Sequence, residues 1–180
     1  MKRQNYIGWF ACVFGLSIFS HAQAIPTASS AGSLQIGAGF TYLQPDYAQT
    51  ADKGPTFYAT FDISQHLGIE ADVHYTSIIT PTDIGEDTYL IGPRYVFRHN
   101  RFMPYVKLLA GVGQLNLQFD YAPHSKATKF AYALGGGLDY KLTRSINIRA
   151  IDFEYQQWPG FSPHGLTPWG ITVGAAYQFH

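Results

Sequence analysis

A strict two-residue alternation runs through the end of this chain. Ile171, Val173, Ala175, Tyr177 and Phe179 are interleaved with Thr172, Gly174, Ala176 and Gln178, and His180 follows. Period two is the mark of an extended strand with one apolar face. A strand has two edges, each with unpaired backbone groups that need a partner. The ending therefore asks for a sheet from the rest of the chain, and an aromatic-ended closing strand suits a membrane barrel.

The other end reads as a targeting segment. Lys2 and Arg3 form a positive start, Tyr6 to Phe19 is free of charge and largely apolar, and Ala22-Gln23-Ala24 is a small-x-small cleavage pattern. Residues 1–24 are thus expected to be a cleaved signal peptide. Its apolar run is too short to span a bilayer as a helix, which takes about 20 residues. The only cysteine, Cys12, leaves with it, so the mature chain holds no thiol, disulfide or cysteine-based metal site. Removing Lys2 and Arg3 from the 12 basic residues leaves 10 against 12 acidic ones. That balance offers no basic stripe and excludes nucleic acid as a partner.

From Ile25 the chain has single-domain length. Residues 25–32 read as a short periplasmic leader and residues 33–180 as the folded domain. Eight candidate strands follow: Ser33–Leu43, Thr56–Ile63, Leu67–Ser77, Thr88–Arg98, Met103–Phe119, Phe130–Leu142, Ile146–Gln157 and Gly170–Phe179. Tight turns at Ser64–His66, His99–Phe102 and Thr143–Ser145 alternate with longer segments at 44–55, 78–87, 120–129 and 158–169. Short turns on one side and long loops on the other predict an all-β, eight-stranded antiparallel up-and-down transmembrane β-barrel.

A weak repeat supports that direction. Gly92 to Phe97, Gly137 to Leu142 and Gly174 to Phe179 share one pattern, with Tyr58 to Ile63 a looser copy. All four fall at the ends of even-numbered strands. They place Phe61, Tyr95, Tyr140 and Tyr177 in one interfacial aromatic girdle.

Alternation alone does not say which face is inside. A soluble eight-stranded carrier also alternates, with its apolar face inward. The glycines favour the membrane arrangement. Gly37, Gly39, Gly68, Gly92, Gly111, Gly113, Gly135, Gly137 and Gly174 all lie on the polar faces. A glycine gains nothing on a solvated face, but in a narrow lumen it makes room for neighbouring side chains.

The inward charges then become the candidate site: Asp62, Glu70, Asp72, Arg94, Lys107, Asp139, Asp152 and Glu154, joined by Arg98, Lys141 and His74 on the same parity. Counted from the nearest turn, Glu70, Arg94 and Asp139 share one depth. Asp72, Lys107 and Asp152 share the next. Mixed signs at one level predict interlocked ion pairs that plug the lumen, since an unpaired buried charge costs several kcal/mol. His74, with Asp72 and Thr76 on its face, reads as part of that structural network.

Three details depart from the pattern. Arg149 has the parity of lipid-facing Ile151, Phe153 and Tyr155, so it either snorkels or follows a bulge. Near Gly113 the fifth strand exchanges its apolar parity for Gln114, Asn116 and Gln118 and reads as leaving the bilayer. Pro93 and Pro104 remove ladder donors from strands with two neighbours.

The signal segment, the alternating meander, Thr88 to Tyr95, Pro104 to Lys107 and the aromatic-terminated last strand together resemble the small eight-stranded outer-membrane barrels, similar to the OmpA transmembrane domain and OmpX-like proteins. The resemblance implies residence in the cell outer membrane, contact with outer-membrane lipid and lipopolysaccharide, and handling by the barrel-assembly machinery. Phe179, with Tyr177, matches the family's assembly signal, except that His180 follows it. No cofactor or metal is implied. Members are structural proteins, adhesins, narrow pores or, in some cases, lipid-A-modifying enzymes, so the fold does not choose among them.

The expected role is therefore a non-enzymatic barrel, structural or surface-interactive, with a ligand met by the long loops. The alternative is a narrow porin-like channel for small polar solutes. The enzymatic reading, an outer-leaflet lipid acyl hydrolase, has only His124-Ser125 near Asp120 to offer. Asp83, Glu86 and Asp87 could hold a cation but read as a solvated acidic loop. Trp158 and Trp169 read as anchors at the outer interface.

Overall fold

The computed structural model describes residues 32–46, 49–79, 84–117, 125–161 and 165–179. The expected signal peptide and nearly all of the leader lie outside them. Eight strands follow in order: β1 (Ser33–Gln44), β2 (Asp52–Asp62), β3 (Leu67–Tyr75), β4 (Ile84–Val96), β5 (Phe102–Leu117), β6 (Ser125–Lys141), β7 (Ile146–Gln157) and β8 (Trp169–Phe179). Each pairs antiparallel with its neighbours in sequence, and β1 pairs with β8 to close the barrel. Closure leaves no free edge.

The strands run further than expected on the long-loop side. β2 begins at Asp52, β4 at Ile84 and β6 at Ser125. Their sequence alternation fades there, yet the backbone ladder continues. β3 instead stops at Tyr75, and a single 3-10 turn, Thr76–Ile78, takes its place between β2 and β4.

Burial is inverted relative to a water-soluble domain. Ile36, Phe57, Ile91, Val106, Leu108, Leu134 and Val173 are each at least half exposed, while Glu70, Arg94, Lys107, Arg149 and Asp152 are buried. An outward apolar belt of this extent is a solvent-facing liability in water and the natural wall in lipid. Aromatics border it at both ends. At the tight-turn end, Tyr95 packs on His66 and Phe97, Phe102 on Tyr140, and Tyr177 on Phe179. At the other end, Phe57, Tyr75 and Tyr89 form an edge-to-face series, and Phe153 stacks on Trp169.

The β4–β5 pairing passes Gly113 without a register shift. Beyond it the positions that share the parity of Tyr89, Val112 and Phe130 are Asp87, Gln114, Asn116 and Thr128, with Gln114 Nε2 donating to Thr128 at 3.3 Å and Asp87 and Asn116 buried against each other. The change is therefore in chemistry and not in direction: the wall leaves the apolar zone.

Pro93 lies where the β4–β5 ladder is interrupted, between Ile91↔Ala110 and Arg94↔Lys107. It has no N–H to give the opposing strand. Pro104 sits opposite Phe97, whose N–H donates to the Pro104 carbonyl at 2.8 Å. Its own missing donor falls at the turn end, just past β4.

The tight turns are locally specified. Ser64 Oγ accepts from Leu67 N at 3.1 Å, and Thr143 Oγ1 accepts from Ile146 N at 3.0 Å. Asn100 adopts φ 55° in the His99–Phe102 turn, a conformation that most side chains resist by about 1–2 kcal/mol. Asn100→Val is expected to lower unfolding stability by about that amount and Asn100→Gly to leave it nearly unchanged. Urea titration of the folded barrel in lipid vesicles checks this; equal midpoints for both variants would contradict it.

Candidate functional site

Buried side chains from all eight strands point into the lumen. Its centre is Lys107 on β5. Its Nζ lies 2.6 Å from Asp72 Oδ2, 2.6 Å from Asp152 Oδ2, 2.6 Å from Glu154 Oε1 and 3.1 Å from Glu70 Oε1. These carboxylates come from β3 and β7, on opposite sides of the strand that carries the lysine.

Nearer the tight turns lies a guanidinium layer. Arg94 Nη1 donates to Glu70 Oε2 at 2.8 Å, and Nη2 donates to Asp139 Oδ2 at 2.5 Å. Thr60 Oγ1 also donates to Glu70 Oε2, at 2.9 Å. Arg149 reaches Glu70 at 2.8 Å, Asp152 at 3.3 Å and Asp139 at 3.4 Å. Each guanidinium also lies over a tyrosine ring: Arg94 is 3.8 Å from the Tyr105 centroid and Arg149 is 3.7 Å from that of Tyr58. Cation–π contacts of this kind strengthen when water is excluded.

Arg149 reaches the lumen by a bulge. The β7–β8 register shifts between Arg149 and Asp152, and the β6–β7 register shifts at Leu138/Asp139. One extra residue reverses the parity, so Arg149 turns inward while Ile151 and Phe153 stay outward. Of the two sequence readings for Arg149, the bulge is the one present.

The glycines provide the space. A Cβ on Gly37 would overlap the Tyr58 ring, the ring that supports Arg149. A Cβ on Gly113 would come within 2.5 Å of the Trp158 ring, and one on Gly137 within 2.7 Å of the Tyr105 hydroxyl.

Glu70, Arg94 and Asp139, placed at one depth by the sequence, are brought together, as are Asp72, Lys107 and Asp152. Glu154 joins the second group. Asp62 does not join either. It sits at the tight-turn rim, 2.6 Å from Arg98 Nη2, where Ser33 Oγ donates to it at 3.0 Å. Lys141 is half-buried near the same rim.

Trp158 corrects the sequence reading. It is not an interface anchor: it is fully buried, packed on Leu90, Leu109, Ala131 and Ala133 inside the long-loop mouth. Trp158 and Leu166 exchange backbone hydrogen bonds of 2.8 and 3.2 Å, Gly165 turns the chain with φ 81°, and Phe161 and Leu166 cover the indole. Its Nε1 donates to Gln156 Oε1 at 3.1 Å. The hint was Gly113, a space with no assigned occupant. Trp169 does sit on the outer face, against Phe153.

The acidic loop is corrected too. Glu86 and Asp87 are buried, not solvated. Asp87 accepts from Ser77 N at 3.1 Å and from Asn116 Nδ2 at 2.7 Å, fastening the 3-10 turn. Asp83, Asp120, His124 and the Ser125 side chain lie outside the described residues.

Removing one partner of a buried pair leaves the other charge uncompensated, at about 3–5 kcal/mol. Arg94→Ala takes the nearest cation from Asp139 and one of three from Glu70, leaving Arg149 to both and Lys107 to Glu70, so a loss toward the lower end of that range is expected. The urea midpoint of the refolded barrel checks it; a midpoint equal to wild type would remove the network from the stability of the fold.

The outer membrane protein beta-barrel domain family matches residues 10–179 of the chain. None of the curated proteins matches it. Among solved structures, Neisserial surface protein A is similar with TM-score 0.63 and 15% identity, over 82% of this chain and 96% of that one. OprG of Pseudomonas aeruginosa gives 0.60 and 16%, over 83% and 97%. Ail, the attachment invasion locus protein of Yersinia pestis, gives 0.53 and 17%, over 83% and 99%. At such identities the likeness speaks for the fold. The match along nearly its whole length, on a closed barrel with apolar side chains outside and charge within, makes the chain a member of the outer membrane protein beta-barrel domain family, resident in the outer membrane.

Proposed function

We propose that this protein is a non-enzymatic outer-membrane barrel with a structural or surface-interaction role, and that its lumen is plugged. One observation carries the reading. Lys107, with four carboxylates around its ammonium, and Trp158, seated above them, occupy the lumen in two successive layers. A lumen filled in this way leaves lipid contact and the loop surface as the working faces.

The loop side suits an outward role. Asp46 Oδ2 accepts from Thr167 N at 2.8 Å, which fastens the end of β1 to the loop before β8. Lys53 and Lys126 are exposed near the outer ends of β2 and β6, placed to meet lipopolysaccharide phosphates. Two of the similar barrels are named as a surface protein and an attachment invasion protein, and the latter is also known in complex with the heparin analogue sucrose octasulfate. A loop ligand is therefore the first partner to seek. Tyr177 and Phe179, outward on the closing strand, are the residues proposed for recognition by the assembly machinery.

The refolded mature chain in a planar bilayer is expected to be electrically silent, and Trp158→Ala alone to remain so, because the Lys107 layer lies beneath. Steady, salt-dependent openings of the wild-type barrel would put the narrow-channel reading first, with Arg94, Lys107, Asp72 and Asp152 along its path.

A further inference from the structure

The central network does not balance. Glu70, Asp72, Asp139, Asp152 and Glu154 face three permanent cations, Arg94, Lys107 and Arg149, all buried. Counted as fully ionised, the excess is two negative charges in a buried place, a cost that either a bound cation or proton uptake relieves.

The excess is concentrated on one side of Lys107. The ammonium takes one oxygen each from Asp72 and Glu154, Oδ2 and Oε1, and so fixes both carboxylates. Glu154 Oε2 is left on the His74 side, where it also accepts from Gln156 Nε2 at 3.3 Å. Among the described residues Asp72 Oδ1 accepts no hydrogen bond, and His74 Nε2 makes none. Nε2 stands 3.4 Å from Glu154 Oε2. Ligand atoms of Asp72, His74 and Glu154 all fall within 4.8 Å of one another, a spread that one metal ion could bridge.

The imidazole is oriented from behind. Its Nδ1 lies 3.1 Å from both Thr41 Oγ1 and Thr56 Oγ1, and Thr41 Oγ1 is 2.6 Å from Thr172 Oγ1. An Nδ1–H given to a hydroxyl oxygen leaves the Nε2 lone pair directed at the carboxylates. A histidine that ligates a metal is usually held in this way by a hydrogen bond from its other nitrogen.

We propose that Asp72, His74 and Glu154 form a structural site for one divalent first-row transition cation, with Zn2+ and Mn2+ as its chemical type. One imidazole nitrogen and two carboxylate oxygens are a donor set such ions accept. The ion's two positive charges equal the formal excess of the network. Trp158 lies over the long-loop mouth, so the ion is loaded as the barrel closes and is then held out of reach of chelators. The competing arrangement is a protonated His74 paired with Glu154, which holds no metal.

The test is to refold the full mature chain in detergent with Co2+, Zn2+ or Mn2+, confirm folding by heat-modifiability on a gel, and wash with chelator. About one metal per barrel is expected to remain, with a urea midpoint above that of barrel refolded in chelator. The Mn2+-loaded wild type is expected to show imidazole nitrogen coupling in pulsed EPR. His74→Gln is expected to cut retained metal at least about tenfold, and Asp72→Asn serves in its place if that variant does not fold. Folded wild type that keeps less than about a tenth of an equivalent overturns the site. So does full retention by a folded variant, and so does retained Mn2+ with no nitrogen coupling.

Discussion

The contact of Lys107 with four carboxylates is the interaction on which the rest of the lumen depends. A soluble domain is held together by apolar groups leaving water. This barrel keeps its apolar groups facing outward, where lipid is as good a neighbour as another side chain. The interior is left to supply cohesion, and it does so with charge. Lys107 ties β5 to β3 and β7, while Arg94 and Arg149 tie β4 and β7 to β3 and β6. Buried ion pairs are not free stability, because their desolvation can cancel their attraction. Their geometric demand is strict, however. A one-residue slip in any strand would send these charges into lipid, so the network selects the register.

Much of this was legible in the sequence because period two is so plain. Each strand displays its inward set, and counting from tight turns ranks that set by depth. That is why Glu70, Arg94 and Asp139, and then Asp72, Lys107 and Asp152, group together from the sequence alone. The glycines also carried information, since Gly37 and Gly113 are the spaces that Tyr58 and Trp158 fill.

What failed to show has physical causes. Arg149 obeys a bulge, and parity counting has no means of seeing an inserted residue. Trp158 belongs to a loop that folds back into the barrel mouth, where strand periodicity says nothing. The same holds for Glu86 and Asp87, which the sequence reads as solvated but which pack around the 3-10 turn that replaces the end of β3. The Thr41, Thr56 and Thr172 cluster behind His74 comes from three strands far apart in sequence, and only the closed barrel assembles it.

The central claim is that Lys107 and its carboxylates act as one unit. A double-mutant cycle of Lys107→Met and Asp72→Asn, read by equilibrium unfolding in lipid vesicles, measures this most directly. The account predicts strong non-additivity, a coupling energy of about 1–3 kcal/mol, as for residues sharing one ion-pair network. Single losses that simply add, to within about 0.5 kcal/mol, would mean that the lysine and the aspartate are neighbours without being partners.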